Sequence, residues 1–447
     1  MSTPKTHDQQ VSVLHIGKYF PPDPGGMETY LHDLMISSLQ QGTRSIALVH
    51  RSQLGVTSTH ERYQASGFEL SVTRAATWLR LLFTPISPAF PWLMRRLIRQ
   101  NRPGLLHLHL PNPSAFWALT IPSARRLPWV IHWQSDVMTP KSGALLTALY
   151  HLYRPLESRL LQRARRIIVT STDYLESSET LAPFKSKCRV IPLGITDRFQ
   201  SPDSRDPDKQ TDRPLKVLAI GRLAHYKGFD VLIDAIAHTS QIELDVVGGG
   251  EQLDALQARA HALGIASRVR FHGNVGNDEK DALLLACDCL CLPSTDRTES
   301  FGIVLLEAMS AGKACVVSQI PGSGVNWVVD SGQTGVMVEG DSPAALANAF
   351  ERLSEDRAQL SSMGARGAND SNGYSPLRPL HRLSSSFMTR SPPPTPKQRT
   401  KSLSFLMVWW VLESVLSASI KATCSRADKP RAVFPRVPER FLNTHRT

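Results

Sequence analysis

The sequence predicts an α/β protein with two doubly wound parallel sheets joined by a linker. Three observations support this fold class. Residues 11–200 alternate short apolar runs with helical patterns, residues 201–214 are polar without apolar periodicity, and the alternation restarts over 215–364. A polar stretch rich in Asp and Pro is typical of a linker. Alternating strands and helices favour a parallel sheet covered by helices on both faces.

The first of these predicted domains, residues 1–200, begins with a buried strand. The run 11–16 is apolar, 17–29 is a loop rich in Pro and Gly, and 30–41 has the periodicity of a helix that Gly42 ends. The later strands that we predict in this domain are 46–50, 105–110, 129–133, 166–170 and 189–192. The predicted helices lie in the segments between these strands.

The second predicted domain, residues 215–364, repeats the pattern. Its predicted strands are 216–220, 244–247, 269–272, 289–292 and 314–317. Doubly wound sheets bind ligands outside the carboxyl ends of their strands. We therefore expect two sheets that face a central cleft, with the ligand bound between them.

The charge is distributed unevenly. The whole chain has a net charge of +12, but residues 365–447 hold 14 Lys and Arg against 4 Asp and Glu, while residues 1–364 hold 37 against 35. Residues 1–364 are therefore nearly neutral, and they carry no basic-aromatic motif of a nucleic-acid-binding fold. We expect no nucleic-acid partner; a basic nucleic-acid binder is the alternative.

Residues 365–447 differ in character from the rest. They include the run Ser-Pro-Pro-Pro-Thr-Pro at 391–396 and few acids. One interpretation is a disordered basic tail; the other is a shifted reading frame that encodes no selected structure. In both cases the second domain is predicted to end at Gly364.

Cysteine content and apolar segments indicate the compartment. Six cysteines in 447 residues are too few for a disulfide framework. Residues 1–10 are polar and lack the apolar core of a signal peptide, and the apolar stretch 403–420 is interrupted by Glu413 and several serines. We expect a cytoplasmic protein, with contact at the inner face of the plasma membrane as a further option.

Two carboxylates, Glu299 and Glu307, flank a run of apolar residues. The run 301–309 predicts a buried helix, and eight positions at 1.5 Å separate the acids by about 12 Å. That is too far to share a proton but suits two parts of one long ligand. The backbone N–H groups of Phe301 and Gly302, at the helix start, would bind an anion. A surface acid followed by a core helix is the simpler alternative.

The second half resembles the GT-B glycosyltransferases of family 4, the retaining "glycosyl transferases group 1". The matching pieces follow in the family's order: Gly221-Arg-Leu, Tyr226-Lys-Gly, Val247-Gly-Gly-Gly, Phe271-His-Gly, Leu292-Pro-Ser, the pair of acids, and Gly332-Gln-Thr-Gly. The first half adds Pro21-Pro-Asp-Pro-Gly-Gly-Met-Glu28. The resemblance implies two Rossmann-like domains in a GT-B fold.

The resemblance implies a role for each donor-side residue. Arg222 and Lys227 would contact the donor diphosphate, where fixed positive charge stabilises the leaving group; side chains solvated near a turn are the alternative. Glu299 would contact the donor sugar. Glu307 would accept hydrogen bonds from the ribose hydroxyls.

Other residues would close the site from the first domain. Gly25 and Gly26 would let the backbone approach the ligand closely. His132 matches a family histidine near sugar and acceptor, and we expect a catalytic role for it. His109 and Asp136 are further candidates on the acceptor side, although a strand histidine is more often a core residue.

The resemblance also implies the reaction. It would be a front-side displacement with retention, without a metal or another cofactor. The donor would be a GDP- or UDP-sugar of mannose or rhamnose. The acceptor would be polyprenyl-linked or an oligosaccharide of O-antigen, lipopolysaccharide or exopolysaccharide biosynthesis. The basic, apolar segment 77–102 suits peripheral contact with an anionic membrane, or is a solvated helix face.

Two other functions remain open on the same fold. One is a nucleotide-sugar 2-epimerase, which converts the donor without an acceptor. The other is an inactive nucleotide-sugar-binding protein, which the altered C-terminal segment would explain. The family's closing helix, which crosses back onto the first domain, is not recognisable after Gly364.

Overall fold

Two sheets, each packed between helices, form the described part of the chain. The computed structural model describes residues 12–23, 25–81, 84–137, 144–195, 199 and 213–371. The first half holds an eight-stranded sheet and the second half a six-stranded sheet. The predicted α/β fold class with two doubly wound sheets is confirmed. Residues 372–447, and with them the apolar stretch 403–420 and most of the atypical tail, lie outside the described ranges.

The first sheet has the strand order β10-β9-β8-β7-β1-β2-β4-β3. Its strands are β1 (Ser12–Ile16), β2 (Arg44–Leu54), β3 (Thr59–Ala65), β4 (Phe68–Thr77), β7 (Leu105–Leu110), β8 (Trp129–Trp133), β9 (Arg166–Val169) and β10 (Cys188–Val190), and a separate two-stranded ribbon joins β5 (Leu79–Leu81) to β6 (Thr84–Ile86). The helices are α1 (Gly26–Gln40), α2 (Phe90–Asn101), α3 (Trp117–Thr120), α4 (Pro122–Arg125), α5 (Ala144–Arg163) and α6 (Thr172–Ser177).

The edge of the first sheet differs from the prediction. β3 pairs antiparallel with β4, whereas every other pair in this sheet is parallel. Both strands were missed. The side chains of β3 alternate between half-buried and exposed, so this edge strand has no buried apolar run to reveal it.

The second sheet is entirely parallel, in the order β13-β12-β11-β14-β15-β16. Its strands are β11 (Leu215–Ile220), β12 (Ile242–Val247), β13 (Val269–Gly273), β14 (Cys289–Leu292), β15 (Ala314–Gln319) and β16 (Gly335–Glu339). The helices are α7 (Phe229–Ala237), α8 (Leu253–Ala262), α9 (Asn277–Ala286), α10 (Ile303–Ser310), α11 (Val325–Val328), α12 (Pro343–Glu355) and α13 (Arg357–Ser371). All five predicted strands are present, and β16 was missed.

The boundary predicted at Gly364 falls inside α13. A Cβ at this glycine would lie 2.1 Å from the carbonyl oxygen of Gly312, so the helix packs backbone against backbone where α10 ends. Gly367 continues the contact against Met309. The ordered second half therefore extends at least to Ser371, seven residues beyond the predicted end.

The two halves share part of one apolar core. Tyr30 and Leu34 of α1 are buried in the same cluster as Val304 and Leu305 of α10. Burying apolar surface on both sides of this contact stabilises the association of the halves. The contact also sets α1 of the first half against the helix that follows Glu299.

Candidate active site

In both sheets, the strand order reverses at the position where the candidate residues cluster. β1 lies between β2 and β7, and β11 lies between β12 and β14. Strand order reverses at these positions, and doubly wound sheets bind ligands in the crevice that results. The loops that follow β1, β11 and β14 carry Gly25, Arg222 and Glu299. The topology thus places three sequence-predicted segments at crevices.

Lys227 ends a short turn, His225–Lys227, after β11. Gly228 follows it with a left-handed φ of 64°, and a Cβ there would lie 2.2 Å from the carbonyl oxygen of Pro293. Only glycine allows the turn to approach the end of β14 so closely. This approach delivers the Lys227 ammonium to Glu299, with which it forms a buried ion pair.

Glu299 is held from several directions. Its Oε2 also accepts a hydrogen bond from Ser294 Oγ at 3.1 Å, and its backbone carbonyl accepts one from Ser323 Oγ. The carboxylate of Glu299 raises the pKa of Lys227 above its ordinary value, against the lowering that burial alone would cause. Lys227 is therefore a charged ammonium at neutral pH.

Arg222 lies in the same loop and is half exposed. Its Nη2 donates to Oε2 of Glu251 at 3.0 Å. The glycines at 248 and 250 pack against this loop: added Cβ atoms would lie 2.0 Å from the oxygen of Gly221 and 2.3 Å from that of Leu223. Close glycine packing explains the Gly-Gly-Gly run and fixes the backbone that carries Arg222.

The helix after Glu299 begins two residues later than predicted. α10 starts at Ile303 because Gly302 takes a left-handed φ of 76°. Glu299 is therefore in a loop, and the helical rise behind the 12 Å separation does not apply to it. The first N–H groups of a helix lack intrahelical partners. Phe301 and Gly302 immediately precede those groups.

Gly26 of the first half lies against the start of α10. A Cβ at Gly26 would be 2.8 Å from Cγ2 of Ile303, and one at Gly25 would be 2.1 Å from Oε2 of Glu28. The glycine loop therefore closes over the helix start from the opposite half. Glu307 is four residues after Ile303 and so lies on the same helix face.

Glu307 is buried and paired. Lys280 of α9 donates to its Oε1 at 2.7 Å, and both side chains are largely shielded from solvent. Lys280 was not a sequence-predicted site residue. It lies 27 residues from its partner, so no local pattern connects them.

His132 and His109 lie together in the first sheet. They are opposite each other on β8 and β7, and their rings stack with centroids 5.6 Å apart. The edge of the Tyr30 ring contacts His132 at 4.8 Å between centroids. Burial lowers the pKa of both histidines well below the ordinary value. Both are therefore neutral imidazoles at physiological pH.

Asp136 occupies a contact between the halves. Its Oδ1 accepts hydrogen bonds from Trp133 and Ser178, each at 2.9 Å, and its Oδ2 pairs with Nη1 of Arg297 at 2.9 Å. Arg297 also donates to Ser177 Oγ at 3.1 Å. The Asp136 carboxylate therefore takes part in holding the two halves together.

Lys18 and Glu28 are site residues to which the sequence analysis gave no role. Burial lowers the pKa of Lys18. The carboxylate of Glu28 raises this pKa, and the charge of Arg222 lowers it. Lys18 is thus near Arg222 across the cleft. A cavity on the first-half side is lined by Gly17, Lys18, Tyr19, Met27, Glu28, Leu31, His109, Pro111 and Gln134. In the sequence, the glycine motif next to Glu28 was the signal that could have identified Glu28 as a site residue.

Comparison with known proteins agrees with this architecture. The family described as "Glycosyl transferases group 1" matches residues 200–370, and the "Glycosyl transferase 4-like domain" matches residues 25–194. Fold and cleft define a GT-B glycosyltransferase with two Rossmann-like domains. The chain belongs to the glycosyl transferases group 1 family.

Curated relatives span most of the chain. A D-rhamnosyltransferase of Pseudomonas aeruginosa is 29% identical over 377 residues, which cover 79% of this chain and 89% of the relative. A phosphatidyl-myo-inositol mannosyltransferase of Mycobacterium leprae is 30% identical over 338 residues, with 74% and 84% covered. An O-antigen chain mannosyltransferase of Escherichia coli is 26% identical, with 76% and 88% covered.

Solved structures share the fold. Sucrose-phosphate synthase of Thermosynechococcus elongatus superposes with a TM-score of 0.69 at 20% identity, covering 84% of this chain and 99% of that one. Anabaena HepE in complex with UDP-glucose superposes with a TM-score of 0.64 at 20% identity, covering 84% and 100%. The GT-B fold predicted from the resemblance is confirmed.

Proposed function

We propose that this glycosyltransferase moves a mannose- or rhamnose-type sugar from a GDP- or UDP-sugar to a polyprenyl-linked or oligosaccharide acceptor of cell-surface polysaccharide. The names of the rhamnosyl- and mannosyltransferase relatives support this choice of sugar and product. The structural observation that carries the proposal is a pair of buried acids, Glu299 and Glu307, that lie on one segment facing the glycine loop. Each acid forms an ion pair with a lysine.

The diphosphate would lie between Arg222, Lys227 and the start of α10. Its negative charge grows as the sugar leaves, so fixed cations and helix N–H groups stabilise the transition state more than the bound donor. The backbone at Phe301 and Gly302 leads into those N–H groups. Lys18 and Gly25–Gly26 would complete the site from the first half.

The two acids would bind the ends of the donor. Glu307, with Oε1 held by Lys280, would accept hydrogen bonds from the neighbouring ribose hydroxyls. Glu299, oriented by Ser294 and Lys227, would contact the donor sugar. A carboxylate accepts up to about four hydrogen bonds, so Glu299 can contact the sugar while it keeps its contacts with Ser294 and Lys227.

The acceptor would approach along the ends of β7 and β8. His132 and His109 are neutral there, and a neutral imidazole can accept a hydrogen bond from a hydroxyl. We assign His132 the task of orienting the acceptor hydroxyl, with His109 beside it. Asp136 would act at a distance, by pairing with Arg297 to hold the two halves together.

The reaction would proceed on one face of the sugar, with retention. The bond between the anomeric carbon and the diphosphate oxygen breaks, the acceptor oxygen forms the new bond, and its proton passes to the departing phosphate. The cations described above supply the electrostatic stabilisation, so we assign no metal ion or other cofactor to this step. The linker contains an Asp-x-Asp sequence, Asp206-Pro-Asp208, to which we assign no metal; it lies outside the described residues.

A surface of the first half suits contact with an anionic membrane. Among the exposed large apolar side chains in the described ranges, the four most exposed belong to residues 54–92: Leu54, Val56, Trp78 and Trp92. α2 buries its apolar face, while Arg95, Arg96 and Arg99 are exposed, with Arg96 over the Trp92 ring at 5.3 Å. Apolar and basic side chains together bind anionic lipid. We propose peripheral docking there; the described helices include none with the length and apolarity needed to cross a bilayer.

The test is a transfer assay with the purified full-length chain. It offers GDP-mannose, GDP-rhamnose and UDP-glucose, each with and without a polyprenyl-diphosphate-linked sugar. We expect a new glycolipid whose anomeric configuration, measured by NMR, matches that of the donor. Lys227→Gln should reduce turnover about 10²–10³-fold, whereas Arg270→Gln, a half-exposed control, should not. Donor consumption that is independent of acceptor would instead indicate an epimerase, and binding without turnover an inactive protein.

A further inference from the structure

Four histidines form one buried group on a face of the first sheet. His15 of β1 lies in register with His107 of β7, and His109 of β7 with His132 of β8. None is more than 5% exposed. Neighbouring rings have centroids 4.5 to 5.8 Å apart. Three strands thus bring into contact imidazoles that are far apart in the sequence.

These rings contain polar atoms that the surrounding protein does not satisfy. Within the described residues, hydrogen-bond partners are lacking for His15 Nε2, His107 Nε2, His109 Nδ1 and both nitrogens of His132. Buried polar atoms nearly always have a partner in native proteins. A ligand between the rings would supply a partner for His107 Nε2, whereas His15 and His109 already hydrogen-bond to each other through Nδ1 and Nε2, a contact that the ligand would replace.

We propose that His15, His107 and His109 bind a divalent transition-metal ion of the zinc class. One nitrogen from each ring lies within 4.8 Å of the others. Two nitrogens on one tetrahedral zinc ion, at about 2.0–2.1 Å from it, are about 3.3–3.4 Å apart. His15 Nδ1 and His109 Nε2 are already 3.3 Å apart. The third nitrogen, from His107, lies within 4.8 Å of the other two, so binding of the ion requires this ring to move closer to them.

The donor set of three imidazoles also indicates the class of ion. Imidazole nitrogens suit zinc, copper and nickel, whereas magnesium and calcium prefer oxygen.

Three imidazoles leave a fourth position on a tetrahedral ion. His132, whose ring stacks on His109, is one source of the fourth ligand. The other is the cavity that His109 shares with Glu28 and Lys18. The site would thus connect the core of the first sheet to the cleft.

This inference does not rest on the proposed function. The ion is not used in the transfer step, and His15 and His107 have no part in the proposed donor or acceptor contacts. His109 is shared with the proposed acceptor side and is therefore not replaced in the test. Metal content and sugar transfer can be measured separately on the same preparation. Loss of one does not decide the other.

The test measures the metal retained by the full-length chain after exposure to ZnCl₂ or CoCl₂ and desalting. We expect a single ion per chain and the intense visible bands of four-coordinate cobalt. His107→Gln and His15→Gln should each bind the ion at least tenfold more weakly. His261→Gln, an exposed histidine of α8, should bind it as the wild type does.

Two results would overturn the proposal. One is a wild-type chain that retains no ion, or whose cobalt spectrum has only the weak bands of six-coordinate oxygen ligation. The other is retention by His107→Gln and His15→Gln equal to the wild type, which would place the ion elsewhere. The cobalt spectrum of the wild type decides the question even if a variant does not fold.

Discussion

Lys280 and Glu307 form a buried ion pair in which the ammonium donates to Oε1 at 2.7 Å. The pair joins α9 to α10 and leaves the carboxylate on the helix face that carries Ile303 toward Gly26. The hydrogen bond from the ammonium to one oxygen fixes the orientation of the carboxylate. Glu307 is therefore prepared to accept hydrogen bonds before any ligand arrives.

Lys280→Met should destabilise the protein and weaken donor binding. It leaves Glu307 buried without this cation, and removing one partner of a buried pair costs about 3–5 kcal/mol. We expect a fall of several degrees in the midpoint of thermal unfolding. Arg270→Gln serves as the control, because the Arg270 side chain is 55% exposed in its pairs with Glu243 and Asp245, and pairs with an exposed partner contribute about 1 kcal/mol or less. Equal midpoints for the two variants would contradict the role of Lys280.

Arg297 and Asp136 should show strong energetic coupling. Their contact is buried and joins the two halves of the chain. A double-mutant cycle with Arg297→Met and Asp136→Asn should give a coupling energy of about 1–3 kcal/mol, and each single variant should lower kcat/KM. The corresponding cycle at the exposed pair of Arg259 and Asp234 should give less than about 1 kcal/mol. Additive effects at the first pair would refute the coupling.

Glu28 should make stability depend on pH. Burial raises its pKa from 4.5 to about 7, so the folded chain keeps a proton that the unfolded chain has lost. Stability from this group is therefore full below pH 4.5 and declines as the pH rises to about 7, by up to roughly 3 kcal/mol.

Glu28→Gln should remove this dependence. As the pH is raised from 5 to 8, the thermal midpoint of the variant should rise relative to that of the wild type, because an amide cannot ionise. Midpoints measured at both pH values for the two chains decide the matter. A difference that stays constant across this range would show that Glu28 does not titrate in it.

Trp92 should contribute to binding of anionic vesicles. Replacing it together with Arg96 removes an exposed ring and the guanidinium over it; a basic residue near such a surface contributes about 1 kcal/mol. We expect Trp92→Gln/Arg96→Gln to bind phosphatidylglycerol vesicles at least fivefold more weakly in a sedimentation assay. Trp327→Gln, which removes an exposed ring of the second half, is the control. Unchanged binding by the double variant would remove this surface from the membrane contact.

The fold was largely predictable because its signals are local. Buried parallel strands are continuous apolar runs, and the segment Cys289–Leu292 was predicted to the residue. The hairpin of β3 and β4 escaped prediction because one of its strands is half exposed. The boundary at Gly364 was predicted from the change in composition after it, whereas α13 continues through Gly364, which packs against Gly312.

The site was only partly predictable. Glu299 and Lys227 belong to recognisable motifs, and the structure pairs them. Lys280 and Arg297 belong to none, because their partners are distant in sequence and meet them only in the folded chain. The same holds for the histidine cluster, which requires the register of three strands.

Equilibrium binding of a nucleotide-sugar panel tests the central claim most directly. GDP-mannose, GDP-rhamnose and UDP-glucose are titrated into the wild type, Arg222→Ala, Glu307→Gln and the control Arg270→Gln. We expect the wild type and the control to bind at least one of these sugars alike, and the other two variants to bind it at least tenfold more weakly. Unchanged affinity in both Arg222→Ala and Glu307→Gln would contradict a donor site in this cleft.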